Sequence, residues 1–564
     1  MGEGAFELET RRIGGLPLVN SFLKRLRLPA LLERHVHSDS RTKVANARLL
    51  GVLVRNLILA RVPLYGLGEW AEGWVPRLLG LEPADLALLN DDRVGRALDR
   101  LFDADRAALL TDLVVGAVKE FKVELEQFHN DSTSLTLHGG YSNATGELVR
   151  GKPTVEITYG HNKDYRPDLK QLVWILTISA DGAVPVHFKV DDGNTEDSTT
   201  HQETWDTLRK LVGSSQFLYV ADCKLCTRAN LRHIDEQNGW FVTVMPRTRK
   251  EDELFRDWLQ SNTPPWEEIL RRPHPRLKDG PEDVFHACSS PVPDSDGYRL
   301  FWYRSSHKLE RDARARSEAI ASAWKELIRL KARVEGPRSR FQSTATVSQA
   351  IEAILGKAGA ERWITYKVEE REESRFRQEK RGRPGGDTRY RRQVKKRFLL
   401  TWELLKDRVE YDARCDGIFP LVTNKELTAR QVLDAYKSKQ PMIEKRHDLL
   451  KNVQAATPVF LKSVSRIEAL LFVFFVALLV SALIERELRA AMTSKEVESL
   501  PLYPEGRNCK APTTARVLEV FEPLQRSLLG RGGHVIQRFD PELSRLQRQL
   551  LSLLGVTPQA FADQ

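Results

Sequence analysis

Val123–Leu137 reads VELEQFHNDSTSLTL and Phe217–Leu225 reads FLYVADCKL. Each is a β-prone run carrying one aspartate at or beyond the end of its apolar body, Asp131 in the first and Asp222 in the second. Aspartate is depleted from strands, so in such a place it is either a turn former or a carboxylate displayed at a sheet edge. Two further runs, LVWILTISADGAVPVHFKV (Leu172–Val190) and WFVTVMPR (Trp240–Arg247), have the same texture and are bounded by Gly, Asp and Pro turn signals. A short helical stretch, TWDTLRKLVG, separates Val190 from FLYVADCKL. Hairpin-like strands, a helix, a strand, a helical stretch and another strand predict an α/β sheet with mixed strand directions.

Outward from this centre the pattern turns helical. Before Val123, ARLLGVLVRNLILARV (Ala47–Val62) and RALDRLFDADRAALLTDLVVGAVKEF (Arg96–Phe121) carry apolar residues at helical spacing. Far downstream, Thr428 followed by Gln431 predicts a capping box that opens a helix. Ala469–Ile484, ALLFVFFVALLVSALI, is nearly all apolar, but it is shorter than the ~20 residues a bilayer core needs. Arg466, Glu468, Glu485, Arg486 and Glu487 flank it closely, so it reads as a buried central helix and no membrane partner is expected.

The chain has 564 residues, enough for two to four compact units, and its 41% hydrophobic and 29% charged residues argue against global disorder. Its 87 Lys+Arg against 77 Asp+Glu give a net charge of +10, which favours a polyanion as partner. Five cysteines cannot staple a chain of this length, and MGEGAFELETRR lacks the apolar run of a secretory signal, so a reducing cytoplasm is expected. The densest charge lies in Lys380–Arg397, KRGRPGGDTRYRRQVKKR, with nine cations against one Asp. Arg381, Arg383, Arg391 and Arg392, beside a Pro-Gly-Gly kink and Tyr390, suit either a solvated loop or a flexible phosphate-binding arm.

Tyr436–Lys451, YKSKQPMIEKRHDLLK, sets one carboxylate, Glu444, among cations on an amphipathic helix. Taken alone it is an exposed helix with charge pairs at i,i+3 and i,i+4. Packed across Asp131 and Asp222, it would complete an oxygen-ligand cluster suited to two Mg²⁺ ions, with Mn²⁺ as a substitute, while Lys439, Arg446 and Lys451 neutralise approaching phosphates. Cys223 and Cys226 form a C-x-x-C without a second pair, and His129, His138, His161, His201 and His447 lack metal-ligand spacing. No G-x-x-x-x-G-K-[ST] phosphate loop occurs, so nucleotide hydrolysis is not indicated.

Together FHNDSTSL, GNTEDSTT (Gly193–Thr200), YVADCKL, DGIFPLVTN (Asp416–Asn424) and the Tyr436–Lys451 helix give the chain a resemblance to the DDE transposases of bacterial insertion sequences. The likeness is to the group whose ribonuclease H-like core is interrupted by a β-rich insertion, and it runs from NDDRVGRALDRL (Asn90–Leu101) to the tail. It implies a helical N-terminal DNA-binding domain (1–120), a ribonuclease H-like mixed-sheet core in two parts (121–247 and 426–492), a β-rich and helical insertion with the basic arm (248–425) and a C-terminal helical tail (493–564). It further implies Asp131, Asp222 and Glu444 as catalytic, metal-binding residues. Its partners would be double-stranded DNA, both transposon ends and target, and a second copy of the chain on paired ends, at the nucleoid of a bacterial cytoplasm. The group's Glu signature has Tyr seven residues before, Arg four before and Lys seven after. Here Lys451 fits, Tyr436 stands eight before, Gln440 takes the Arg position, and Lys439 is one place away. The activity implied is Mg²⁺-dependent cleavage and strand transfer. The alternatives are a metal-dependent nuclease that does not join, or an inactive or domesticated relative that only binds DNA.

Overall fold

A computed structural model describes residues 6–273, 280–291, 295–456, 461–532 and 534–562, the side chains of 452–456 aside. The chain is a mixed α/β protein of two compact units, Met1–Thr243 with Asp434–Gln564, and Val244–Leu433.

The first unit begins with a strand, β1 (Phe6–Arg12), followed by helices that include α1 (Leu16–Arg25), α2 (Asn46–Leu59), α3 (Asp91–Asp103) and α4 (Arg106–Phe121). Asn90 and Asp105 cap α3 and α4 by accepting from the backbone N–H of Arg93 and Ala108 at 2.9 and 3.0 Å. The central sheet of this unit comprises β2 (Gln127–Leu137), β3 (Lys170–Ser179), β4 (Pro185–Asp191), β5 (Leu218–Ala221) and β6 (Trp240–Val244), in the order β4-β3-β2-β5-β6. β3 runs antiparallel to both β2 and β4, whereas β5 is parallel to β2 and β6 to β5. Parallel neighbours need crossovers, which α5 (His201–Val212) supplies before β5 and α6 (Arg228–Glu236) before β6.

After β4 the chain makes a close backbone approach at Gly193. A Cβ there would lie 2.1 Å from the carbonyl oxygen of Gln171 and 2.6 Å from that of Thr158, so only glycine fits. The segment GNTEDSTT begins at this close approach.

The second unit has its own antiparallel strands, β7 (Glu267–Arg272), β8 (Asp283–Ser289) and β9 (Arg299–Ser305), followed by α7 (Ser306–Glu335) and α8 (Thr344–Ala358). A long hairpin follows, β10 (Ile364–Gln378) and β11 (Tyr390–Leu404), and β12 (Ile418–Thr423) pairs with β9. Leu327 and Leu330 of α7 and Ile351 of α8 form a core with Ile364, Phe398 and Leu400 at the base of the hairpin. The Thr428–Gln431 capping box is present, with Gln431 N–H donating to Thr428 Oγ1 at 3.3 Å and Thr428 N–H to Gln431 Oε1 at 2.9 Å.

The first unit resumes with α9 (Gln440–Ala456) and the 31-residue α10 (Val464–Ser494). Among the described residues α10 is long and apolar enough to cross a membrane, and 94% of its most apolar 18-residue window is buried inside the protein. Phe188 of β4 stacks on Phe475 of α10 at 4.8 Å and on Trp174 of β3 at 4.7 Å, joining helix and sheet. The charges bordering the apolar run all find partners: Arg466 with Asp99 (2.7 Å), Glu468 with Arg106 (3.0 Å), Glu485 with Arg446 (2.9 Å) and Arg486 with Asp181 (2.6 Å).

The tail departs from the helical expectation. A helix at Thr514–Phe521 is followed by β13 (Gln525–Arg531) and β14 (His534–Phe539), a hairpin that adds to β1, and then by the helix α11 (Arg545–Leu554). The Gly-Gly pair at 532 and 533, followed by HVIQRF, is the hairpin signal that helical periodicity on either side obscured.

Candidate active site and basic arm

The register of β2 against β5 builds the site. Asn130 lies beside Ala221 in this parallel pair, and the next residue on each strand is an aspartate. Asp131, inside β2 where its parallel pairing with β5 ends, and Asp222, just past β5, therefore stand on neighbouring strands, about 4.8 Å apart, at the same level. The carboxyl ends of parallel strands are where α/β sheets present their chemistry. Asp131 Oδ1 accepts from Ser132 N–H at 2.9 Å, and Asp222 Oδ1 from Lys224 N–H at 2.9 Å. Thr243 of β6 holds the Asp222 carbonyl through its hydroxyl at 2.6 Å.

Both carboxyls are hard to ionise. Burial pushes Asp131 up to about 7, Lys163 opposes the shift, and Asp222 and Asp197 add to it. Asp222 is also raised, chiefly by burial and in part by Asp197, against the Lys224 N–H bond and the Lys163 charge. Asp197, in GNTEDSTT, thus joins the acid group, and Lys163 Nζ lies 3.1 Å from its Oδ2. The same ammonium donates to the Ser132 carbonyl at 2.6 Å and the Ser132 hydroxyl at 2.7 Å.

Glu444 is exposed on α9. Tyr436 connects it to the aspartates: this buried phenol is raised by burial first and then by Asp222, Cys223, Asp131 and Glu444. Its burial removes the open aromatic face that base stacking needs. His447, one turn beyond Glu444, packs its Nδ1 at 3.5 Å from Asp131 Oδ2. Burial, with Lys163 and Lys451, drives that imidazole down to about 3, so it is neutral near pH 7 and forms no ion pair. Lys439 is half-buried and its charge helps burial push His129 down to about 3.

Arg446 is not at the phosphates. It is 2% exposed, donates to Glu485 at 2.9 Å and to the Ala183 carbonyl at 3.4 Å, and so ties α9 to α10. At helical spacing, a cation two residues from Glu444 points away from it, a direction the charge count alone conceals. Lys451 is ion-paired with Asp164.

The basic arm is a built ribbon. Arg391 and Arg392 lie on β11, opposite Arg377 and Phe376 of β10, and Arg381 and Arg383 are exposed in the connection between the strands. Opposed residues in an antiparallel pair share a face. One face of the distal half therefore carries Arg371, Arg375, Arg377, Arg391, Lys395 and Arg397, and the other carries Phe376, Tyr390, Arg392 and Val394. Phe376 is 67% exposed, Tyr390 and Val394 each 49%.

The donor chemistry at Asp131 and Asp222 fits a hard divalent cation: all-oxygen ligands, pressed together and short of balancing charge. Among the described residues no three His, Cys, Asp or Glu side chains stand in a metal-holding arrangement, and Glu444 is exposed. Asp197 and Lys163 were not singled out from sequence. Asp197 had a signal in its motif, whereas Lys163, in HNKDYRPDLK, had none beyond a turn-rich context.

Residues 8–115 match the family described as a domain of unknown function (DUF4277). No curated protein matches the chain. Among solved structures the chain is similar to the piggyBac transposase synaptic complex with hairpin DNA, at 10% identity over 51% of this chain and 56% of that one, with a TM-score of 0.26. It is also similar to the Mos1 transposase paired-end complex with left transposon end, at 10% identity over 38% and 62% with a TM-score of 0.14. For the Mos1 mariner paired-end complex with Mn the figures are 10%, 39%, 65% and 0.14. The chain thus spans between 56% and 65% of those chains' lengths, and a likeness of this depth carries no argument about activity.

The raised Asp131 carboxyl sets a pH dependence. Its folded value, about 7, stands above the ordinary 3.8, so from about pH 4 to 7 the folded chain holds a proton that the unfolded chain has lost. Its contribution to stability therefore falls as pH rises through that window. Asp131→Asn should raise the metal-free unfolding midpoint at pH 8, by less at pH 5, and change it little at pH 4, measured by thermal denaturation. An equal change at both pH values would refute the assignment.

Proposed function

We propose that the chain is a DDE-type DNA transposase with a ribonuclease H-like catalytic core, which cuts at the ends of its element and joins the freed ends to target DNA. The observation that carries this reading is the placement of Asp131 and Asp222 side by side on parallel strands. Asp131, Asp222 and Glu444 would hold Mg²⁺ or Mn²⁺. When bound, such ions polarise the phosphodiester and make water acidic enough to attack near neutral pH.

The chain's own groups do the rest. Tyr436 stays protonated and can donate to an oxygen that approaches the acids, and neutral His447 keeps its Nδ1 against Asp131. Lys439, in the turn before α9, and Lys451, on α9, supply positive charge near Glu444, Lys451 by exchanging Asp164 for a phosphate. Arg381, Arg383, Arg391 and Arg392 on the ribbon hold duplex DNA through its backbone. Exchange of one phosphodiester for another is near neutral in energy, so the reaction needs no nucleotide. Two ends must be cut and joined together, so the working form is a homodimer on paired ends, in a bacterial cytoplasm.

Cleavage and joining of labelled DNA carrying the flanking element end, with Mg²⁺, test the reading. Wild type should yield cut and joined products, and Glu444→Ala should bind DNA yet lose cutting. Cutting without joining would favour a nuclease, and binding without cutting by either protein would favour a DNA-binding relative. On the ribbon, replacing Arg381, Arg383, Arg391 and Arg392 together by Ala should flatten the slope of log affinity against log salt by about 3 to 4, from about 0.9 per phosphate contact. An unchanged slope would remove the ribbon from the DNA interface.

A further inference from the structure

Lys163 sits in the middle of the acid group. Its ammonium donates to the Ser132 carbonyl and hydroxyl at 2.6 and 2.7 Å and faces Asp197 Oδ2 at 3.1 Å. Its charge also acts on Asp131 and Asp222 themselves and on Cys223, His201 and His447 around them. Lys224, by contrast, acts on Asp222 and Cys223.

The backbone under Lys163 is fixed. Lys163 N–H donates to Ser134 Oγ at 3.2 Å, and the neighbouring Asn162 side chain donates to Thr136 Oγ1 at 3.0 Å while accepting from Asp164 N–H at 2.8 Å. The stem above is flexible by nature, and the side chain keeps 33% of its surface exposed. An ammonium so held is delivered to one spot but can leave it toward solvent.

Three half-buried carboxylates brought together, Asp131 inside β2, Asp222 just past β5 and Asp197 in the turn that follows Gly193, repel one another, and some cation must balance them. A divalent ion entering among Asp131, Asp222 and Asp197 would meet the Lys163 charge already there, and two cations so close oppose each other strongly in a partly buried site. We propose that Lys163 is the internal counter-cation of this acid site, bound to Asp197 and Ser132 in the metal-free chain and displaced when a divalent metal ion takes the carboxylates. The proposal rests on reading Asp131 and Asp222 as a cation site. Lys163 is thereby a positioning residue that keeps the carboxylates assembled before metal arrives and sets a threshold for metal entry.

Calorimetric titration of the full chain with Mn²⁺, without DNA, tests this apart from any activity. Lys163→Met removes the charge and keeps much of the stem. It should bind Mn²⁺ at least about tenfold more tightly than wild type, while its metal-free unfolding midpoint falls and its gain in midpoint on adding Mn²⁺ grows. Lys163→Arg keeps the charge and should bind Mn²⁺ close to the wild-type affinity, which separates charge from packing if Lys163→Met folds poorly. Weaker or unchanged Mn²⁺ binding by Lys163→Met, or tighter binding by Lys163→Arg, would overturn the competition. Failure of wild type and both variants to bind Mn²⁺ would instead overturn the cation-site reading beneath it.

Discussion

One strand register governs the site: Asn130 beside Ala221, which leaves Asp131 and Asp222 as adjacent carboxylates on parallel strands. A shift of one residue would turn one of them to the opposite face of the sheet. The cost of this arrangement is visible in the raised carboxyls, and the surroundings are built to contain it. Ser132, Thr243 and the Lys224 amide fix the strand ends, Lys163 supplies charge, and the Gly193 approach places Asp197 alongside.

Such a charged cluster needs rigid support, and α10 provides it. Its apolar length fills the first unit, stacking Phe475 on Phe188, while its border charges are each tied to a different element. Through Glu485 it also holds Arg446, and so fixes the rotation of α9. That pair, nearly dry on both sides, directs Glu444 outward and His447 inward toward Asp131. Removing one partner of a buried ion pair typically costs about 3 kcal/mol or more, so Arg446 supports the site from behind.

The strands, their two aspartates and the buried helix were legible because each rests on a local pattern: apolar runs, turn residues and flanking charge. What escaped notice depended on direction or on distant pairing. Arg446 looks like its neighbouring cations until the helix rotation is known, and Lys163 acts across the sheet from a turn with no pattern of its own. The tail hairpin joins a sheet by pairing its first strand with Phe6–Arg12, more than five hundred residues away in sequence. The basic run suits either a solvated loop or a flexible arm because charge masks its alternation, yet its partner strand fixes its second half as one strand of a ribbon with two chemically different faces.

The proposed activity draws these parts together: acids for metal, a buried phenol and cations for phosphate, and a ribbon for duplex. The central claim is that Asp131 and Asp222 share a divalent cation. Its most direct test is a crystal of the chain soaked in Mn²⁺ and measured for anomalous scattering. The account predicts a peak within coordination distance of both carboxylates, with the Lys163 ammonium moved away from Asp197. A protein that takes up Mn²⁺ at other carboxylates and leaves the space between Asp131 and Asp222 without a peak would contradict it.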